Sequence, residues 1–376
     1  MSVVRLGVVG LGAVAQAVYL PLLQRRWDLF ELTAVADVSR ELRDAVGTRL
    51  GVPPERRYAS VDDLLAAAEV DAILLLASGS HGRPALAAIK SGVPVFCEKP
   101  LASSLAEADA LAAAEVAAGR PMLLLGYMKE YDPAVRAAAR ALDAIGTLRY
   151  AEVEVLHPSG GSQLAFAHLR PGPSDVDAAT LDALRSADEA AVIAAIGEDV
   201  PSDVRLAYTT LLGSLVHDIA VLRQLVGVID RVDDAVQWQA DGDVRSLEIG
   251  GWIGAVRTRV HWHYLPDYPA YRETVTLHGD RGTVQLVFPV PYLLNAPTEL
   301  TVVTSDGGGE QRSVRRQVDE AFEEELVAFV RLVTDKEPAP TGIDEGRIDI
   351  QTAQRIARVF ARARSVQLGG EAGNEA

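Results

Sequence analysis

The sequence predicts an α/β protein: an N-terminal Rossmann domain, built on a doubly wound parallel sheet, followed by a C-terminal α+β domain with a large, mainly antiparallel open sheet. Three observations predict it. A glycine cluster after the first strand switches the apolar spacing from that of a strand to that of a helix. Strand and helix then alternate strictly to about residue 126. Beyond 127 the apolar residues fall at every second position, with hairpin signals between the runs.

The first element is Val4, Leu6, Val8 and Val9, a buried strand. It runs into Gly10-Leu11-Gly12-Ala13-Val14-Ala15, a G-x-G-x-x-A turn, after which Ala15, Val18, Leu22 and Leu23 recur on one helical face. In such a turn Gly10 permits the tight bend, Gly12 lets a pyrophosphate approach the backbone, and Ala15 lets the helix pack close. The helix N-terminus offers N–H groups and a positive dipole end to phosphate. The second strand, Leu32–Ala36, ends in Asp37, at the ~20-residue spacing where an acid meets the ribose hydroxyls of NAD. These parts, in this order, favour a dinucleotide site over a bare strand-to-helix turn.

The remaining elements of the first domain follow from local signals. A helix over Arg40–Leu50 stops before Pro53-Pro54, and a short helix over 61–68 starts from a Ser60 cap. The continuous apolar run Val70–Leu76 suits a strand covered on both faces. A loop holding Ser78 and His81 leads to a helix ending near Ser91. The strand Val93–Cys97 delivers Glu98-Lys99-Pro100 to its C-terminal end, the side where open α/β sheets bind ligands. A helix over Ser104–Ala118 and a strand over Pro121–Tyr127 close the domain, placed at residues 1–126. There the Lys99 ammonium can polarise a hydroxyl or carbonyl oxygen beside a nicotinamide, and Glu98 can orient it or serve the ribose.

The second domain spans 127–368. A helix over Pro133–Ile145 precedes strands over Arg149–His157, Val232–Gln239, Val244–Trp252, Val256–Tyr264, Arg272–His278 and Thr283–Phe288, with turn signals at Asp241-Gly242 and Gly279-Asp280. Helices are expected over 215–225, 320–334 and 344–363. The stretch 158–208, with an acidic helix over Asp177–Ile196, reads equally as a surface insertion or a lid. Residues 369–376 are expected to be disordered.

A formal charge of −16 disfavours nucleic acid and anionic membrane as partners. The single cysteine, Cys97, excludes an intrachain disulfide and fits a reducing cytoplasm. No apolar run approaches the ~20 residues that cross a bilayer. Among 36 basic residues only four are lysines, Lys90, Lys99, Lys129 and Lys336, so a lysine at a motif position carries information. His261 and His263, two apart on a strand, face one side; with no cysteine or carboxylate neighbour in the sequence to complete a metal site they are read as sheet-surface residues, a substrate contact being the alternative, and no metal is expected.

The chain resembles the glucose-fructose oxidoreductase, inositol dehydrogenase and MocA family. The resemblance is carried by GVVGLGAVA, ADVS, AIKSGVPVFCEKPLA, GYMKEYDPA, SLVHDIAVLRQLVG and IQTAQRIARVFARARSVQL. It implies NAD(H)-dependent oxidation or reduction of one carbinol or carbonyl carbon of a sugar, polyol, aminosugar or nucleotide-sugar, NADP being the less expected cofactor. It also implies a homodimer or homotetramer assembled through the C-terminal sheet. Lys99 matches the lysine that binds the reacting oxygen, and His217 the proton donor or acceptor. Lys129 and Tyr131 match junction residues near nicotinamide and substrate. The cofactor set is then Gly10, Gly12, Ala13, Val14, Ala15, Asp37, Ser78, His81, Glu98, Lys99 and Lys129.

The departures matter as well. Family members often carry an aspartate four residues before that histidine and an acid three after it; here those positions are Gly213 and Ala220. Asp218 is acidic but lies about 100° around a helix from His217. The loop that commonly reads T-P-N is Leu76-Ala77-Ser78. Tyr208 is the first candidate for a replacement proton donor. The alternative is a nicotinamide-binding regulatory protein of the same fold without turnover.

Overall fold

The structure, a computed structural model, describes residues 3–67, 69–169, 174–239, 245–305 and 307–374. The chain forms two compact units. The first comprises Met1–Tyr127, Leu169–Glu198 and Glu325–Ile350; the second comprises Met128–His168, Asp199–Glu324 and Gln351–Ala376. The expected insertion at 158–208 is therefore divided, its middle part belonging to the first unit.

In the first unit a six-stranded parallel sheet runs in the order β3-β2-β1-β4-β5-β6. Its strands are β1 (Val4–Val9), β2 (Phe30–Ala36), β3 (Arg57–Tyr58), β4 (Ala72–Leu75), β5 (Val95–Glu98) and β6 (Leu123–Gly126). All residues of β4, β5 and β6 are buried, as required of strands with both faces covered. The order reverses beside β1, between β2 and β4, which is where such sheets bind ligands. The helices begin and end where the chemistry dictates. Ser39 Oγ accepts from Leu42 N to cap Arg40–Leu50, and Gly51, at φ 76°, ends it. Ser104 and Gly119 do the same for Leu105–Ala118. Under the sheet Phe96 makes edge-on contacts with Tyr19 and Phe329, at 5.2 and 5.7 Å between centroids, each worth about 0.5–1.5 kcal/mol beyond the area buried.

In the second unit eight strands pair in the order β14-β13-β12-β11-β7-β10-β9-β8. They are β7 (Leu148–His157), β8 (Arg231–Gln239), β9 (Arg245–Ile253), β10 (Val256–Tyr264), β11 (Arg272–Gly279), β12 (Gly282–Phe288), β13 (Glu299–Ser305) and β14 (Glu310–Arg316). Only the β7–β10 pair is parallel. The hairpin signal at Gly279-Asp280 is met by the Gly279–Gly282 pair closing β11 on β12; the signal at Asp241-Gly242 lies outside the described residues.

β13 and β14 extend the sheet beyond the strands expected from periodicity. All seven residues of β14 are exposed, so an edge strand rich in charge has no apolar alternation to read. Two stretches are π-helical: 15–19, in the helix expected after the glycine turn, and 211–215, leading into the helix expected over 215–225. Where disorder was expected at the C-terminus, Gly370–Asn374 forms a short helix. Ala372 is buried there, and Gln354 Nε2 donates to Glu371 Oε2 at 2.7 Å; these contacts supply the ordering that the polar composition concealed. Among the described residues no helix is long and apolar enough to cross a membrane.

Candidate functional site

The glycine turn lies at the C-terminal end of β1. Gly10 has φ 87°, and a Cβ there would come within 2.3 Å of Ala77 N, so the turn is pressed against the chain leaving β4 and accepts no larger residue. Gly12 differs: an added Cβ would meet nothing within 4 Å. Gly12 and Ala13 are exposed and Val14 is half-buried, while Ala15 is fully buried against the sheet. The turn thus presents open space at the start of a helix, as a bound pyrophosphate requires. Asp37, at the end of β2, accepts from Leu11 N at 2.8 Å through Oδ2 and from Ser39 N at 2.9 Å through Oδ1. One carboxylate ties the glycine turn to the acid position, and its remaining lone pairs suit ribose hydroxyls.

Lys99 follows the last residue of β5 and is half-buried; its peptide bond to Pro100 is cis. Glu98, 6% exposed, accepts from Lys99 N at 2.9 Å through Oε2 and from Tyr19 Oη at 2.7 Å through Oε1. Tyr19 also reaches Glu325 Oε1 at 2.8 Å. A phenol between two carboxylates has one proton to give. Burial, then the charges of Glu325 and Glu98, hold it well above its ordinary pKa, so it stays a hydroxyl and anchors the turn that carries Lys99. Cys97 is a core residue; its thiol is pushed up by burial.

Ser78 is exposed, whereas the His81 ring is turned inward. Its Nδ1 and Nε2 lie 2.7 Å from the carbonyl oxygens of Pro100 and Ala77, so the imidazole ties the β4 loop to the chain beyond Lys99.

In the second unit the helix Val216–Leu225 carries His217 half-exposed and Asp218 buried. Lys129, expected beside the nicotinamide, has its ammonium within this unit, 2.5 Å from Glu273 Oε1 and 3.5 Å from Asp218 Oδ1. Tyr271 Oη donates to Glu273 Oε2 at 2.5 Å, and Lys129 Nζ lies 5.1 Å from the centre of the Phe288 ring. Burial alone would lower the Lys129 pKa, but the Asp218 and Glu273 charges more than reverse it. Burial, with Glu273 adding to it, lifts the Asp218 carboxyl well above its usual range. Lys129 and Glu273 also line a small cavity of about 50 Å³, with Asp132 and Phe288.

Tyr208 lies on the helix Ser202–Thr210 and is fully buried. Tyr131 is likewise buried, and Ala220 is 1% exposed. Gly213 sits in the π-helical turn before His217, and a Cβ there would meet nothing within 4 Å. π-helical turns concentrate at functional sites, and both of those seen here flank predicted site residues. His261 and His263 share a face of β10, their rings 5.9 Å apart, and His261 Nδ1 is 3.8 Å from Glu152 Oε1. Among the described residues no three His, Cys, Asp or Glu side chains are grouped to hold a metal.

Tyr19, Glu273, Tyr271 and Glu325 belong to no local motif, and Asp218 lies off the His217 face of its helix. The available signal was an acid inside the apolar run LVHDIAVL, which needs a buried cation, in a chain where Lys129 is one of four lysines.

Residues 4–127 match the oxidoreductase family with an NAD-binding Rossmann fold, the group of glucose-fructose oxidoreductase, inositol dehydrogenase and MocA. That match spans about a third of the chain. The family resemblance extends to inositol 2-dehydrogenase of Burkholderia ambifaria, 38% identical over 144 residues, which span 38% of this chain and 42% of that protein. The match therefore covers less than half of the relative's length. By fold the likeness reaches nearly end to end. A 3-ketoreductase from Actinomadura kijaniata, solved with TDP-benzene and NADP, superposes with a TM-score of 0.71 at 19% identity, covering 94% of this chain and 96% of that one. Scyllo-inositol dehydrogenase from Lactobacillus casei, solved with NAD(H) and scyllo-inositol, gives 0.68 at 17% identity, covering 96% and 98%. At these identities the two likenesses show the fold alone.

Proposed function

We propose that the protein is an NAD(H)-dependent oxidoreductase moving hydride between the nicotinamide and one carbinol or carbonyl carbon of a sugar, polyol, aminosugar or nucleotide-sugar. The observation that carries this reading is the glycine turn, with Gly10 clamped on Ala77, open space at Gly12, and Asp37 tied to Leu11. The related dehydrogenases named above support the choice of a polyol-like substrate.

The nicotinamide cofactor supplies the hydride donor or acceptor when bound. The chain's own residues bind and orient. Backbone N–H groups around Gly12–Ala15 hold the pyrophosphate, and Asp37 takes the ribose hydroxyls and disfavours a 2′-phosphate. Glu98 fixes the turn from which the Lys99 ammonium steadies negative charge developing on the substrate oxygen. His217 gives or takes that oxygen's proton, with Tyr208 as the second candidate. The exposed Val236 and Trp238 on β8, 49% and 38% exposed, support assembly through the sheet as a homodimer or homotetramer. The lone buried Cys97 supports a cytoplasmic setting.

Calorimetric titration with NADH, followed by nicotinamide absorbance with a panel of polyols, sugars and aminosugars, tests the reading. Heat on NADH addition and hydride transfer with a panel member are expected. An NADH titration without heat would overturn the cofactor assignment.

A further inference from the structure

The first unit receives a carboxylate from far along the chain at the residues next to Asp37. Ser39 caps the helix Arg40–Leu50, accepting from Leu42 N at 3.0 Å, and its hydroxyl donates to Asp175 Oδ1 at 2.6 Å. Glu41 N, in the first turn of that helix, donates to Asp175 Oδ2 at 2.9 Å. Asp175 lies 136 residues from Ser39 in sequence, just before the helix Ala178–Ile196. That helix makes a second attachment: Asp188 Oδ1 accepts from Ser80 N at 2.9 Å, and a Cβ on Gly79 would come within 2.4 Å of Asp188 Oδ2. One acidic segment is thus fastened beside the ends of both β2 and β4.

We propose that Asp175 is a specificity-determining residue that turns the dinucleotide site away from NADP(H) and toward NAD(H). The proposal deepens the cofactor reading above and rests on it. In this fold the adenosine ribose meets the acid at the end of β2, so a 2′-phosphate on that ribose needs donors or a cation beside Asp37. The donors at that place are the Ser39 hydroxyl and the first-turn N–H of Glu41, and Asp175 holds both. These hydrogen bonds, Ser39 first and Glu41 next, keep the Asp175 carboxyl below its usual range, so it is an anion at neutral pH. A helix N-terminus attracts phosphate while it is vacant of negative charge; here the charge is already supplied. The cations nearby are partly committed as well. Arg43 donates through Nη1 to the Asp37 carbonyl, and the exposed Arg40 pairs with Asp44 at 3.6 Å. With Asp175 neutralised, Ser39, Glu41 N and Arg40 together form the kind of donor set that accepts a 2′-phosphate.

Calorimetric titration of the full chain with NADH and NADPH, for the unmutated protein, Asp175→Ala and Asp175→Asn, tests this. Asp175→Asn retains an oxygen acceptor for Glu41 N and guards against loss of the helix cap. The unmutated protein is expected to bind NADH the more tightly. Both variants are expected to shift the NADPH-to-NADH affinity ratio toward NADPH by about tenfold, with NADH affinity held within about threefold. A ratio unchanged in both variants while NADH still binds would overturn the role of Asp175 and leave the cofactor reading standing. Equal affinity of the unmutated protein for the two nucleotides would overturn the role of Asp175 together with the preference for NAD(H) assigned to Asp37, while leaving a dinucleotide site standing. If the unmutated protein binds neither, the cofactor reading fails and the inference falls with it.

Discussion

The Lys129 ammonium lies 3.5 Å from Asp218 Oδ1, with side chains only 9% and 3% exposed, and shares itself with the buried Glu273. One cation therefore faces two carboxylates, and the cost of substitution depends on which partner is removed. Lys129→Met leaves two carboxyl groups without a cation and should cost about 3–5 kcal/mol in urea unfolding. Asp218→Asn leaves a balanced Lys129–Glu273 pair and should cost clearly less at pH 7. Equal losses in the two variants would contradict this account of the cluster.

The same cluster sets a pH dependence with a definite sign. The Asp218 pKa is raised by folding, so the stability linked to it is complete below the unfolded value of about 3.9 and is lost as pH rises through the folded value. Asp218→Asn has no such loss. Its stability relative to the unmutated protein should therefore improve as pH is raised from 4 to 7, measured by urea midpoints at each pH. The Lys129 pKa is raised too, so its contribution is complete below about 10.4 and fades only at higher pH. A difference that moves in Asp218's favour across the acidic range would reverse the sign and refute the assignment.

Tyr19→Phe removes the hydroxyl that meets both Glu98 and Glu325. Buried carboxyls that lose a hydrogen-bond partner cost about 1–3 kcal/mol, which corresponds to a melting point lower by several degrees in units of this size, at about 2–4 °C per kcal/mol. Tyr19→Phe combined with Glu325→Gln should recover part of the loss, since one charge is then absent. A melt of the single variant within about 1 °C of the unmutated protein would show that the hydroxyl anchors nothing.

What could be read in the sequence was what is local or periodic. The glycine turn, Asp37 and the Glu98-Lys99 corner each sit within a few residues of the strand that delivers them, so their place at the strand ends was legible from spacing. The buried charges were not legible, because their partners are remote: Glu273 lies 144 residues from Lys129, and Glu325 lies 306 from Tyr19. A helical wheel placed Asp218 about 100° from His217 but could not say what awaited it on that side. Wheel arguments also assume a uniform turn, and the π-helical stretch over 211–215 widens the turn that separates Gly213 from His217. Asp175 was equally hidden, since its partners Ser39 and Glu41 belong to the other end of the first unit's sequence.

The missing acid at Gly213 can be restored. A Cβ there meets nothing within 4 Å, and glycine inside a helix costs about 0.5–1 kcal/mol against alanine, so Gly213→Asp should fold with an unchanged or slightly higher melting point. If His217 is the proton relay, Gly213→Asp should raise single-turnover hydride transfer, His217→Asn should lower it by about 10²–10⁴, and Tyr208→Phe should leave it near its starting value. Loss in Tyr208→Phe alone would transfer the role to Tyr208, and full activity in both would remove both from the relay.

Lys99 separates an enzyme from a binding protein of the same fold. Its ammonium is proposed to meet negative charge that is fully developed on the substrate oxygen only as hydride moves, so its loss should fall on the chemical step. Removing one such donor costs about 10²–10³ in rate, or ~3–4 kcal/mol. Cofactor affinity draws on other groups, the open backbone at Gly12 and the carboxylate of Asp37. Lys99→Ala should therefore bind NADH within about tenfold of the unmutated protein, ~1.4 kcal/mol, while turnover collapses. In a binding protein there is no turnover to lose, and no polyol, sugar or aminosugar changes nicotinamide absorbance even before mutation. A ligand that binds tightly together with NAD, in either redox state, and still exchanges no hydride would decide for the binding protein, because the substrate, the cofactor and Lys99 would all be present with no chemistry resulting.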